Sequence, residues 1–219
     1  IERPIVFGNN DTPGVMLSSA AKEYMKVYGV LVGRKPLVFT NNDSGYETAI
    51  EFKKNGIDPI ILDTRKEPQS EIIEEAKSMN IDIKNSYVVV AAKGYKKVKS
   101  ADIAKISDDK EELGLIENID CDCICVSGFW TPTIHLASQS GNKTKFNEDI
   151  DAFVPGISKQ NEKTLGAANG IYTLEETLKD SFEKGNLLSK KITNNDNKIS
   201  FPNVVEKKST THDKFWCVP

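Results

Sequence analysis

The chain has 219 residues, 38% apolar and 28% charged, which is one large domain or two small ones with enough chain to bury a core. Its 29 basic and 32 acidic residues are interspersed and leave a net charge of -3, which excludes the basic face that nucleic acid demands. Purely apolar runs stay short, as at Tyr87–Ala92, so no stretch of about 20 apolar residues is present to span a membrane. Ile1-Glu2-Arg3-Pro4 is not a basic, then apolar secretory leader, and the expected location is cytoplasmic. The abrupt start and the stop at Cys217-Val218-Pro219 lead us to expect a segment of a longer polypeptide.

In chain order, Ile5-Val6-Phe7 predicts a short strand, and Gly8-Asn9-Asn10-Asp11-Thr12-Pro13-Gly14 a loop. From Val15 to Tyr28 the apolar residues recur at helical spacing, with Gly29 as the stop. Pro36–Thr40 reads as a buried strand, Asn41–Gly45 as a turn, and Tyr46–Asn55 as a helix ended by Gly56. A second strand, Pro59–Leu62, runs into Asp63, and a polar helix covers about Ser70 to Met79. Tyr87–Ala92 reads as the third sheet strand, part of Lys96–Ser107 as another, and Asp122–Val126 as the next. Lys93–Lys110 has the character of an inserted β-meander. Strands alternating with helices predict β-α-β units on a mainly parallel sheet. Further on, Thr133–Gln139 predicts a short helix, Ala152-Phe153-Val154 a strand, and Thr173–Lys184 a helix. Thr173 is its N-cap and Glu176 the capping-box partner. Gly185–Pro219, rich in Asn, Lys, Ser and Thr, reads as a linker or surface-draped arm.

The alternating Cys121, Cys123 and Cys125 are expected on one face of a strand, as small core residues in a reducing compartment rather than metal ligands. With only His135 and His212 elsewhere, a fourth zinc ligand is scarce. His135, between Ile134 and Leu136, suits a satisfied core or interface position, and the lysines of Lys93–Lys99 a solvated face. Phe129 and Trp130 beside Pro132 suit packing at a strand-to-helix junction. No catalytic triad or paired-carboxylate site is visible, so no residue is assigned a catalytic role.

One motif bears on chemistry. In the G-x-G-x-x-G fingerprint of dinucleotide-binding domains, the glycines serve the turn, the approach of the pyrophosphate, and helix–strand packing. Here Thr40, Asn42 and Gly45 hold those places. Only the third glycine is kept, although a helix N-terminus remains. Asp63, 18 residues after Gly45, stands where an acidic residue holds a ribose hydroxyl. On this reading Asn41, Asn42, Asp43, Gly45 and Asp63 would contact a cofactor. The competing reading is local: Asp43 and Ser44 are N-cap residues, an Asn-Asn-Asp turn needs no ligand, and Asp43 would repel a pyrophosphate.

Several runs resemble the alpha subunit of heterotetrameric sarcosine oxidase: Arg3–Leu17, Thr40–Tyr46, Val126–Leu136, Ala152–Gly156, Gly166–Gly170 and Trp216–Pro219. The resemblance covers nearly the whole chain. It departs at Phe129, where the pattern Val-Ser-Gly-Gly-Trp has glycine. It implies an α/β fold: a Rossmann-like three-layer domain with a mainly parallel sheet, plus partial segments of an adjacent FAD/NAD-type domain. The implied division is 1–30 as a connecting strand and helix of the adjacent domain, 31–140 as the NAD-type domain, 141–185 as a returning segment, and 186–219 as linker or tail. Gly166, Ala167 and Asn169 would close over the cofactor of that adjacent domain.

The resemblance further implies oxidative demethylation of sarcosine to glycine, with hydrogen peroxide and a one-carbon unit passed to tetrahydrofolate. NAD would belong to the parent subunit, and FAD, FMN and tetrahydrofolate to the parent complex. The partners would be the beta, gamma and delta subunits and the rest of the alpha chain, with catalysis outside this segment. Related amine, opine or proline dehydrogenase alpha subunits share the module. Two rivals stand beside this reading. One is a non-catalytic assembly module, with exposed apolar patches at Met16, Leu17 and around Gly166–Tyr172. The other is a small NAD-dependent oxidoreductase.

Overall fold

In the computed structural model, which describes residues 1–193, 204 and 212–219, the apolar run Pro36–Thr40 is buried on both faces because it is an inner strand of a parallel sheet. The elements in order are β1 (Val15–Leu17), α1 (Ser18–Tyr28), β2 (Pro36–Thr40), α2 (Ser44–Lys54), β3 (Ile60–Asp63), α3 (Glu71–Ser78) and β4 (Asp82–Asn85). An antiparallel meander follows, made of β5 (Tyr87–Lys93), β6 (Ser100–Ile106) and β7 (Leu113–Asp120), and the chain then returns through β8 (Cys123–Ser127). The parallel sheet has the order β1-β8-β2-β3-β4.

The period-2 alternation of side chains separates two cores. Leu37, Phe39, Leu62, Ile124 and Val126 face the meander, packing with Val88, Val89 and Ile103. Val38, Ile61, Cys123 and Cys125 face the helices, meeting Ala21 of α1, Phe52 of α2 and Ile73 of α3. Helices, parallel sheet and meander are the three layers of a Rossmann-like α/β fold, as the sequence implies.

Several elements differ from expectation. The sheet's edge is the polar Asp82–Asn85, not Tyr87–Ala92, which instead opens the meander. Ser86 divides them with φ 58, and its amide donates to Arg65 O while its carbonyl accepts from Ile106 N. The meander is longer than the expected Lys93–Lys110, running from Tyr87 to Asp120. Val15–Leu17, read as the start of a helix, pairs with β8 instead. Leu17 offers α1 no side-chain cap, so the distant Glu2 carboxylate takes the Ser19 amide at 2.8 Å. Ile5–Phe7 makes one isolated bridge, Val6 with Cys217, rather than a strand. Cys121 does not share a face with Cys123 and Cys125: it packs on the meander side and they on the helix side. The reason is a bend at Asp122, whose carboxylate accepts the Arg34 and Lys35 amides. Burial and the neighbouring Cys123 push the Cys121 thiol up to about 12. The apolar exposure of α1 lies at Val27 and Tyr28, whereas Met16 and Leu17 are half-buried.

Two units divide the chain: Glu2–Phe129 with Ser209–Pro219, and Ile1 with Trp130–Lys208. The first 30 residues, expected with a neighbouring domain, thus supply β1 and α1 to the sheet unit. Of the expected tail 186–219, residues 194–203 and 205–211 lie outside the described residues. Residues 212–219 are packed, with Phe215 buried in the meander-side core.

The second unit contains α4 (His135–Gln139), an antiparallel hairpin of β9 (Thr144–Asn147) and β10 (Ala152–Pro155), a 3-10 turn Gly166–Asn169, and α5 (Leu174–Thr193). The last helix runs nine residues beyond the expected Lys184, and at Gly185 an added side chain meets only open space. Thr173 caps it: its Oγ1 accepts the Glu176 amide at 3.3 Å and donates to Glu176 Oε2 at 2.7 Å. His135 is exposed, not a core residue, because the α4 turn buries only Ala137. Among the described residues no helix is long and apolar enough to cross a membrane.

Candidate functional site

In open α/β sheets, ligands bind beyond the carboxyl ends of the strands, where the strand order reverses. Here that place is the end of β2, between β8 and β3. The chain leaves β2 at Thr40 and enters α2 at Ser44 through three residues that are all but inaccessible: Asn41 at 0%, Asn42 at 1% and Asp43 at 1%.

Gly45 does what the third fingerprint glycine does. A Cβ there would lie 2.6 Å from Thr40 Cβ, so only glycine lets α2 sit against β2. The other two places are filled by a hydrogen-bonded turn. Thr40 Oγ1 donates to Asn42 O at 2.7 Å and accepts the Asn42 amide at 3.1 Å. Asn42 Nδ2 donates to Asn41 Oδ1 and Ser127 O, and Asn42 Oδ1 accepts the Ser44 amide at 2.8 Å. Asn42, not Asp43, therefore caps α2. A helix-terminal amide that a phosphate would need is already taken.

Asp43 is drawn elsewhere. Arg65, two residues past the end of β3, holds both strand-end carboxylates. Its Nε donates to Asp63 Oδ1 at 3.0 Å and its Nη2 to Asp63 Oδ2 at 2.8 Å, a bidentate pair, while Nη1 donates to Asp43 Oδ1 at 2.8 Å. Asp63 also accepts the Arg65 amide at 2.9 Å and the Tyr46 hydroxyl at 2.8 Å. Burial opposes the charge on Arg65, but Asp63 and Asp43 hold its pKa above the ordinary guanidinium value. Burial, reinforced by Asp63, raises the Tyr46 phenol well above its usual range. Asp43 Oδ2 is buried without a hydrogen-bond partner.

Residues 212–219 lie over this network. Asn41 Nδ2 donates to Asp213 O and Phe215 O, each at 2.9 Å, and Asn41 O accepts the Asp213 amide at 2.8 Å. The Asp213 carboxylate takes the Thr64 hydroxyl at 3.0 Å and pairs with Lys110. Burial pulls the Lys110 ammonium below its usual range.

The residues assigned from the fingerprint are thus brought together, but the groups with which they would hold a dinucleotide are engaged by the chain itself. Asp63 has no lone pair turned to an open ribose site, and Asp43 sets a buried negative charge beside the helix N-terminus. The donor set does not fit a pyrophosphate. Sequence reasoning missed Arg65 and Tyr46. A cation immediately after a strand-end acid was the available signal for Arg65. Nothing local signalled Tyr46, Asp213 or Phe215.

Gly166, Ala167 and Asn169 lie in the other unit. Gly166 has φ +60, and a Cβ there would approach Thr177 Cγ2 at 2.9 Å. Its amide donates to Asp180 Oδ2 at 3.2 Å, and Lys184 pairs with that carboxylate. Ala167 is exposed, and Asn169 lines a groove of about 650 Å³ with Asn142, Glu162 and Lys184. Hydrogen bonds from Ser140 and Ser158 hold the Glu162 carboxyl below its usual range. Among the described residues no group of three or more His, Cys, Asp or Glu is placed to hold a metal ion.

No family model matches the chain. By fold it is a Rossmann-like α/β domain. It is similar to L-proline dehydrogenase from P. horikoshii, with TM-score 0.55 and 21% identity over 87% of this chain and 33% of that one. It is similar also to the flavoprotein disulfide reductase RclA from Escherichia coli, with TM-score 0.59 and 16% identity over 85% of this chain and 42% of that one. At these identities the likeness shows the fold alone. Sequence is more specific: the chain is 36% identical over 76% of its length to the sarcosine oxidase subunit alpha of Rhizobium meliloti, and 32% identical over 81% to that of Corynebacterium sp. strain P-1. These relatives support a fragment of a sarcosine oxidase alpha subunit, and the chain spans 16% and 18% of their length.

Proposed function

We propose that this chain supplies a structural dinucleotide-type domain to a flavoenzyme that oxidatively demethylates sarcosine to glycine, yielding hydrogen peroxide and a one-carbon unit for tetrahydrofolate. Sequence likeness to sarcosine oxidase alpha subunits supports the oxidoreductase class. The relatives' name, sarcosine oxidase subunit alpha, supports sarcosine as the substrate and a multi-subunit complex; beta, gamma and delta partner subunits and a cytoplasmic setting belong to the proposal.

The reading of this segment as scaffold rests on one observation: Arg65 pairs bidentately with Asp63 and also with Asp43 Oδ1, which engages the acids that would otherwise meet a ribose or pyrophosphate. The segment's work is then to hold a rigid sheet edge and the chain on either side of it, while any NAD of the parent subunit is held by another domain. Gly166, Ala167 and Asn169, on a turn that exposes Ala167 and sets Asn169 beside a groove, are the residues of this chain best placed to border such a cofactor. In the sheet unit a pocket of about 450 Å³ is lined by Arg65, Asp108, Lys110, His212 and Asp213, and neither Asp43 nor Asp63 reaches it.

Two measurements test this. Calorimetric titration of the chain with NAD to millimolar concentration is expected to show no saturable heat. Binding abolished by Asp63→Asn would overturn the scaffold reading. For the parent complex, peroxide release is expected with sarcosine and not with L-proline. The reverse preference would favour a proline dehydrogenase.

A further inference from the structure

Phe129 is the residue out of place. It follows β8 with φ 73, a left-handed backbone that L side chains rarely adopt. Nothing in the main chain there calls for a large side chain, since glycine would take this conformation without strain. The ring, however, has partners. It is 8% exposed and lies flat against His212, with centroids 3.9 Å apart and planes 4° from parallel. The Arg3 guanidinium stands 6.0 Å from the Phe129 ring centre and 4.6 Å from that of Trp216. Trp216 Nε1 donates to Gly128 O at 3.2 Å.

These contacts meet residues 212–219 along most of their length. His212 bridges to Asn42 in antiparallel fashion and Cys217 to Val6 in parallel. The Asp213 amide donates to Asn41 O, and Asn41 Nδ2 spans two carbonyls of the segment, those of Asp213 and Phe215. Val6 N donates to Trp216 O at 2.7 Å, and Val218 N donates to Val6 O at 2.9 Å. Phe215 is buried among Phe7, Phe39 and their neighbours. Main-chain hydrogen bonds, one amide clamp and one buried aromatic anchor are the means by which folds hold extended peptides. Here they act where the fold elsewhere holds a dinucleotide.

We propose that residues 212–219 are an intramolecular ligand of the cleft at the carboxyl ends of the parallel strands, and that Phe129 is the platform that holds them. The cleft is then a peptide site, filled in cis, in place of a nucleotide site. This rests on the scaffold reading above but asks a separate question, namely what occupies the cleft rather than what its acids bind.

Hydrogen exchange on the full chain tests it. The Asp213 and Val218 amides are expected to exchange at least about tenfold more slowly than in an unstructured peptide. In Phe129→Gly they are expected to speed up by about tenfold or more, while the amides of β2 and β6 keep their wild-type rates. This outcome separates platform from strain: were Phe129 only a strained residue, glycine would relieve the strain and leave the segment's protection unchanged or higher. His212→Ala, which removes the stacking partner without touching the sheet, is expected to give the same speeding at Asp213. Unprotected Asp213 and Val218 amides in the wild type overturn the proposal, as do rates unchanged in both variants. A parallel series with millimolar NAD keeps the two readings apart. Slowed exchange at Ser44 and Arg65 would overturn the scaffold reading, whereas the peptide site stands or falls on the amides of Asp213 and Val218.

Discussion

Two turns in this chain precede helices and carry the small and amide residues associated with cofactor binding, yet they differ in what their polar groups are doing. The turn from Thr40 to Gly45 is buried and internally bonded: Thr40 and Asn42 bond each other, Asn42 caps α2, and Arg65 engages Asp43 and Asp63. The turn from Gly166 to Gly170 is more open. Ala167 is exposed, Asn169 borders a groove, and the helix behind it is capped from within by Thr173 and Glu176. A strand–turn–helix outline alone therefore does not make a nucleotide site. What counts is whether the amides and carboxylates around it remain free, because a buried donor already paired has little to offer a ligand.

The largest effect on this contrast is expected from Arg65→Ala. It strands two buried carboxylates, and the loss of one partner from a buried ion pair costs about 3–5 kcal/mol. Urea unfolding should show this as a lower midpoint with little change in slope. Arg65→Lys should recover part of the loss but not the bidentate geometry. An Arg65→Ala chain as stable as wild type would mean the closed turn is held by something other than this network.

Next in size is Gly45→Ala. Its methyl would fall 2.6 Å from Thr40 Cβ, and forced overpacking costs about 1–3 kcal/mol. The double variant with Thr40→Ser should recover stability only in part, because the Cβ remains. Full additivity in that cycle would mean the two residues do not touch. The corresponding test of the open turn is Thr173→Ala, with an expected loss of about 1 kcal/mol from the missing cap. A thermal melt unmoved by it would show that α5 is held by packing alone.

A smaller effect, confined to alkaline solution, concerns Tyr46. Its phenol is raised in the folded state by burial and by Asp63. The unfolded chain releases this proton at about pH 10 while the folded one keeps it, so the unfolded state binds fewer protons and stability falls as pH rises above 10. Stability measured from pH 8 to 11 should therefore drop less steeply in Tyr46→Phe than in wild type. Equal slopes would place Tyr46 outside the buried network.

Much of the fold was legible locally. Pro36–Thr40 and Cys123–Ser127 lack polar alternation, as strands covered on both faces must, and Gly29 and Gly56 mark helix ends. Thr173 with Glu176 announced a capped helix, and Gly45 announced close helix–strand packing. The edge strand Asp82–Asn85 was not legible, because a four-residue strand with one open side and a single apolar residue, Ile83, carries little apolar signal. Nor was the division of the cysteines, since the bend at Asp122 depends on amides 87 and 88 residues away.

The sequence by itself determined the alternation of strands and helices on a mainly parallel sheet, the likeness to sarcosine oxidase alpha subunits, and the position of the strand-end turn with its acid at Asp63. Each of these is written in residues close together in the chain, as periodicity, punctuation or motif. Only the tertiary structure decided that the turn is closed. Tyr46 and Asp63 are 17 residues apart, Asn41 and Phe215 are 174 apart, and Phe129 meets His212. Hydrogen-bonding capacity is a property of side chains, but whether it is spent depends on which distant residues the fold brings within reach.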